Sequence, residues 1–149
     1  MEFQVRIQGL DQLVANLKAA PGIAAPILQR ALFASQAILA KYTTKATVPW
    51  RTGFLTQSFY GELTPGLLRW FPTASYARFV QFGTAPHIIL PKDKEALYWP
   101  GAAHPVKMVH HPGTRPNDYM GRIMAASLPE IEEMFGTALQ QIVQEIAAQ

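Results

Sequence analysis

Helical periodicity at both ends of the chain, with a strand–turn–strand pattern between them, predicts an α+β fold. The expected architecture is a small antiparallel sheet packed by a long N-terminal helix and a C-terminal helix, with a long Pro-rich arm. A chain of 149 residues can bury one real core. Hydrophobic residues make up 49% of it and charged ones 15%, with eight Phe, five Tyr and three Trp, a balance that disordered chains lack.

Phe3, Val5 and Ile7 alternate with Glu2, Gln4, Arg6 and Gln8, which predicts a half-buried strand ended by Gly9. Leu10, Leu13, Val14 and Leu17 follow at helical spacing, and Pro21-Gly22 stops that short helix. Pro26 suits the first turn of a second helix, where its missing N–H costs nothing. In that helix Leu28, Leu32, Ser35, Leu39 and Tyr42 form a stripe with Ile27, Ala31, Ala34 and Ile38 beside it. A face so wide calls for a large cover, a sheet or a neighbouring subunit.

Residues 47–53, with Pro49, read as a linker. Phe54 to Leu63 and Leu67 to Phe71 read as two strands around the turn Thr64-Pro65-Gly66. Thr73 to Phe82 is expected to be a short helix or turn. From Gly83 to Pro116 the texture changes, because six of the twelve prolines and all four histidines fall there. Short extended pieces are expected at 87–90, 96–99 and 106–110, in a stretch otherwise poor in regular structure and suited to binding. Asn117 or Asp118 can cap a helix running to about Ala126. Ser127-Leu128-Pro129-Glu130 then has capping-box form and is expected to restart the helix after a bend. Ile131, Phe135, Ala138, Ile142 and Ile146 make its apolar stripe, opposite Glu132, Glu133, Gln140, Gln141 and Gln144. The organisation expected is one domain over 1–149 with an extended arm at 83–116.

Several function classes find no support. The absence of cysteine excludes disulfides and thiolate zinc sites. The N-terminus lacks the basic start and apolar block of a secretory signal, and no apolar run approaches the roughly 18 residues of a membrane span, so a soluble chain is expected. His87, His104, His110 and His111 lack metal-ligand spacing, and the adjacent pair would point to opposite faces of an extended chain. No Gly-x-Ser-x-Gly elbow, Gly-rich phosphate loop or set of nucleophile, base and orienter is present, and Lys92-Asp93-Lys94-Glu95 reads as a solvated turn. No catalytic, cofactor-binding or metal-ligating residue is therefore assigned, and the chain is not expected to be an enzyme.

Charge is distributed unevenly around a net +3. Between Arg30 and Arg122 basic residues outnumber the acids Glu62, Asp93, Glu95 and Asp118. After Arg122 only acids remain: Glu130, Glu132, Glu133 and Glu145. Such polarity can steer a partner or nucleic acid. The alternative function, a basic nucleic-acid-binding domain, rests on Arg69, Arg78, Lys92, Lys94, Lys107 and Arg115 interleaved with Trp70, Tyr76, Phe79, Tyr98 and Trp99. No helix-turn-helix, ribonucleoprotein or zinc-finger signature accompanies them.

Four short motifs stand in order along nearly the whole chain: Val5-Arg6-Ile7-Gln8-Gly9-Leu10-Asp11-Gln12-Leu13; Val48-Pro49-Trp50-Arg51-Thr52-Gly53-Phe54-Leu55-Thr56-Gln57-Ser58; Tyr76-Ala77-Arg78-Phe79-Val80-Gln81-Phe82-Gly83-Thr84; and His111-Pro112-Gly113-Thr114 with Tyr119-Met120. This series resembles the HK97 gp10-like family of tailed-phage tail-component proteins, also described as tail-completion or neck proteins. Gln81 stands where that family often has an acid, and Asp118-Tyr119 where it often has Pro-Phe.

The resemblance implies an α+β protomer of a homo-oligomeric ring at the head–tail junction, as a neck, tail-completion or tail-terminator part. The implied partners are other phage neck, connector or tail-tube proteins, with no membrane and no cofactor; a ring would leave DNA passing through its channel open to non-specific contact only. The implied location is the virion, and the host cytoplasm during assembly. Within the arm, Tyr98, Trp99, Pro100, Lys92, Lys94, His111, Pro112, Gly113 and Thr114 are the candidate interface residues. The arm is expected to gain order on docking, with Tyr98 and Trp99 buried at a subunit contact. Thr52-Gly53 and Gly83-Thr84 are the candidate turn motifs, each hydroxyl capping its own turn.

Overall fold

The computed structural model describes residues 2–5 and 22–147. The end of the first strand at Gly9 and the helix expected on Leu10–Leu17 lie outside the described residues. The class is α+β, and the chain falls into two compact units, residues 1–77 with 118–149, and Arg78–Asn117. No helix among the described residues is long and apolar enough to cross a membrane.

The first unit is built on a three-stranded antiparallel sheet of order β1-β3-β2, with β1 at Phe3–Val5, β2 at Phe59–Thr64 and β3 at Leu67–Pro72. Pro65-Gly66 joins β2 to β3 beside the Thr64↔Leu67 pair, and Gly66 has φ +77°, the residues and backbone a type II turn demands. Central strand β3 alternates strictly, so that Leu68, Trp70 and Pro72 are buried while Leu67, Arg69 and Phe71 are half-buried.

Helix α1 spans Ala24–Tyr42 and buries Ala24, Ile27, Leu28, Ala31, Leu32, Ser35 and Leu39, the wide stripe its sequence predicts. Its cover is the sheet together with the last helix, α4, at Tyr119–Ala147. Pro26 sits in the first turn of α1, as expected. At the other end Trp70 Nε1 donates to Thr43 Oγ1 at 3.0 Å, and that hydroxyl donates to Leu39 O at 2.7 Å. A buried indole thereby keeps its hydrogen bond and ties β3 to the end of α1. Phe59 stacks on Trp70 at 5.8 Å and meets Tyr119 edge-on at 6.2 Å, so sheet and α4 share one aromatic cluster.

Two elements differ from expectation. Residues Phe54–Gln57 form a helical turn, α2, not the start of a strand. Gly53 at φ +83° turns the chain under the ring of Trp50, Leu55 is buried, and Ser58 Oγ closes the turn on Leu55 O at 2.8 Å. The second difference is that α4 runs on through Pro129 with no restart at Ser127. The buried Ser127 hydroxyl donates back to Met124 O at 3.2 Å, and Glu130 pairs with Lys41 Nζ at 2.7 Å, so neither half of the capping box is used. That hydrogen bond holds the Glu130 carboxyl below its usual range and raises the Lys41 ammonium. Pro129 has no N–H to give Ala125 O, yet Ile123 and Ser127 before it and Ile131, Phe135, Ala138 and Ile142 after it share one buried stripe. Packing along both halves outweighs the missing bond. Asp118 caps the helix through Oδ1 to Gly121 N at 2.9 Å.

Tyr119, fully buried, donates its hydroxyl to Ala77 O at 3.2 Å. Burial, reinforced by Tyr76, pushes its phenol from 10 up to about 12. The neutral phenol therefore stabilises the fold fully below pH 10, and this contribution is lost as pH rises through 12. The loss should reach about 2–3 kcal/mol at its upper limit. Denaturant unfolding of wild type and Tyr119→Phe across that window should show the steeper fall in wild type; parallel curves would mean the phenol does not carry the dependence.

Candidate assembly surface

The Arg78–Asn117 unit starts with helix α3, which spans Ala77–Phe82. Strands β4, His87–Ile89, and β5, Val109–His111, pair antiparallel as His87↔His111, Ile88↔His110 and Ile89↔Val109. Further out, Leu97 and Val106 exchange hydrogen bonds of 2.7 and 3.0 Å. Near the helix, Asn117 N donates to Val80 O at 3.0 Å. The segment read as an extended arm is thus a ladder folded back on itself within one chain. The prolines are compatible with this because they fall between the paired positions, where no ladder N–H is needed.

The two Gly-Thr motifs of this segment meet each other. Thr84 and Thr114 exchange two backbone hydrogen bonds of 3.1 Å, Thr84 Oγ1 accepts from Thr114 N at 3.1 Å, and the two hydroxyls lie 3.2 Å apart. Gly83 and Gly113 both have positive φ, +72° and +88°. A Cβ on Gly83 would collide with Thr114 O, and one on Gly113 with Thr84 O. The result is a reciprocal clasp that closes the ladder at its base. The Thr84 hydroxyl serves this cross-strand clasp; the Thr52 hydroxyl accepts from Phe54 N at 3.4 Å, the local capping expected of it.

Beyond the clasp, His87 and His111 stack at 4.9 Å. His111 Nδ1 accepts from Gly113 N at 3.0 Å, and His87 Nδ1 lies 2.9 Å from Ala85 O. His111 is half-buried, next to exposed Pro112, while His104 and His110 are exposed. No three His, Cys, Asp or Glu side chains converge among the described residues.

At the far end Ala102 N bonds to Trp99 O at 3.0 Å, closing a turn with Pro100 second and Gly101 third at φ +95°. Tyr98 and Trp99 are 67% and 47% exposed at this turn. Pro100, Lys92 and Lys94 are exposed too. Around them the ladder leaves Ile88, Leu90 and Met108 in water, and all three residues of β4 are exposed. Nothing local in the sequence marks those three apolar residues as exposed, since short apolar runs look like strands that will be covered. The pairing partner that would reveal their exposure is some twenty residues away.

Of the basic and aromatic residues that could meet nucleic acid, Arg69 and Trp70 belong to the first unit's sheet. Arg69 lies 3.6 Å from Glu2 and 3.5 Å from Glu62, and Trp70 is buried. Arg78 lies over the Phe79 ring at 4.5 Å. In the first unit an open groove of about 510 Å³ runs between α1 and α4, lined by Ile27, Arg30, Ile38, Met134, Thr137 and Gln141 among others. It is a mixed apolar and polar trough in which the Thr137 hydroxyl donates back to Glu133 O at 3.1 Å and the Glu130 carboxylate pairs with Lys41. No family model matches the chain, and no similar protein is found among curated proteins or solved structures.

Proposed function

We propose that the chain is a structural component of a tailed-phage virion at the head–tail junction, a neck, tail-completion or tail-terminator part that assembles into a homo-oligomeric ring and docks on neighbouring virion proteins. It acts by contact and not by turnover. The motif series supplies the setting, and one observation supports the mode of action. The Arg78–Asn117 unit is clasped at its base yet exposes Ile88, Leu90, Tyr98, Trp99 and Met108. A two-stranded ladder of this size is marginal in water and gains most by packing against something else. Its tip carries large amphipathic rings on a turn, the kind of residue on which interfaces concentrate their energy. A phage deleted for the chain should make filled heads and tails that fail to join. Normal infectious particles from a clean deletion would remove the chain from the assembly pathway.

A further inference from the structure

We propose that the basic, apolar ladder surface of one copy seats on a second apolar row along α4 of another copy, in a head-to-tail contact. The inference rests on the self-assembly reading and names the surface that receives the ladder. Beside its buried stripe, α4 presents Leu128, Glu132, Gly136, Leu139 and Val143 at positions i, i+4, i+8, i+11 and i+15, which fall in one row on a helix. All five are exposed. Gly136 sits in the middle of this row, and a Cβ there would meet nothing within 4 Å. A glycine inside a helix costs about 1 kcal/mol relative to Ala. Among the described residues nothing packs closely enough to require one, whereas a backbone approaching from outside would.

Charge decides which surface fits the row. Glu132 lies within it and Glu133 follows on the flank toward the α1–α4 groove, which it lines, and neither has an ionic partner among the described residues. On the ladder unit Arg78, Lys92, Lys94, Lys107 and Arg115 outnumber Asp93 and Glu95. Lys92, Lys94 and Lys107 are exposed and equally without ionic partners among the described residues. A two-fold contact of α4 on α4 would leave Glu132 and Glu133 without counter-charge, since no basic residue follows Arg122, and one of ladder on ladder would oppose the lysines. Only the crossed arrangement sets Ile88, Leu90, Tyr98 and Trp99 against Leu128, Leu139 and Val143 while neutralising both sets of charges. Because the two surfaces differ, the contact repeats from copy to copy and closes into a ring if its rotation permits.

Charge reversal tests this in the full chain by sedimentation at low salt. Lys92→Glu with Lys94→Glu, and separately Glu132→Lys with Glu133→Lys, should each weaken self-association by about tenfold or more. The chain carrying all four changes should recover it, since both surfaces are reversed together. All four positions are exposed or solvent-facing, and unchanged circular dichroism and melting will show that the fold is intact. If wild type associates but either pair has no effect, or the combination fails to recover, the contact lies elsewhere and only the self-assembly reading stands. Loss through the lysine pair alone would mean that the row on α4 has another occupant, in the same chain or in a different protein, and overturns the proposal. A wild type that stays monomeric removes the self-assembly reading and this contact with it.

Discussion

Gly83→Ala and Gly113→Ala should each open the Arg78–Asn117 unit while leaving the sheet and its two long helices folded. Both glycines hold the left-handed backbone that an L side chain adopts at a cost of about 1–2 kcal/mol. That cost alone would be tolerable. Here a new methyl group on Gly83 also meets the carbonyl of Thr114 and, at 2.9 Å, the nitrogen of Pro116; on Gly113 it meets the carbonyl of Thr84 and, at 3.0 Å, the carbonyl carbon of Ala85. These are backbone atoms held by the Thr84–Thr114 hydrogen bonds, so relief requires breaking the clasp, at about 1 kcal/mol for each bond lost. The total of about 3–4 kcal/mol is more than a small two-stranded ladder can absorb. Gly101→Ala provides the comparison, with φ +95° but nothing within 4 Å of its added Cβ, so it should show the conformational cost alone. Amide exchange at Thr84 and Thr114, with tryptic cleavage after Lys92, Lys94 and Lys107, will separate the two cases. If Gly83→Ala behaves like Gly101→Ala, the clasp does not hold the unit closed.

Much of the first unit was legible because its signals are local. The 3.6-residue stripe from Ile27 to Leu39 and the one from Ile131 to Ile142 both face the core where periodicity puts them. Pro65-Gly66 makes the turn its residue types demand. The failures came where a local signal met a tertiary one. Ser127 and Glu130 have the form of a capping box, but a buried hydroxyl and a lysine on α1 took both partners. Phe54 and Leu55 suit strand or helix equally, and Gly53 under Trp50 decided for the helical turn.

The candidate surface was half legible. Tyr98 and Trp99 could be singled out as aromatics without periodic neighbours, and the structure leaves them exposed at a turn. The clasp could not be found that way. Gly83-Thr84 and Gly113-Thr114 are each ordinary dipeptides, and their meaning lies in pairing with each other thirty residues apart. The second row on α4 was readable in principle, since Leu128, Leu139 and Val143 share a helical face offset from the main stripe.

Tyr98→Ala combined with Trp99→Ala should leave the isolated chain folded and abolish its assembly at working concentrations. In the single chain Tyr98 is mostly and Trp99 about half in water, so their removal should change stability by no more than about 1 kcal/mol. The turn itself depends on the Ala102 N to Trp99 O bond, on Pro100 and on Gly101, none of which the substitutions remove. At an interface the arithmetic reverses. Two aromatic anchors that become desolvated contribute about 2 kcal/mol or more each, so losing both should weaken association by about a thousandfold. Matched melting curves and sedimentation profiles of wild type and double variant measure the two effects separately. Assembly that survives the double change would move the contact away from the turn. A melting transition that collapses along with assembly would instead place these rings in the protomer's own core, and the exposed tip would lose its role as the docking element.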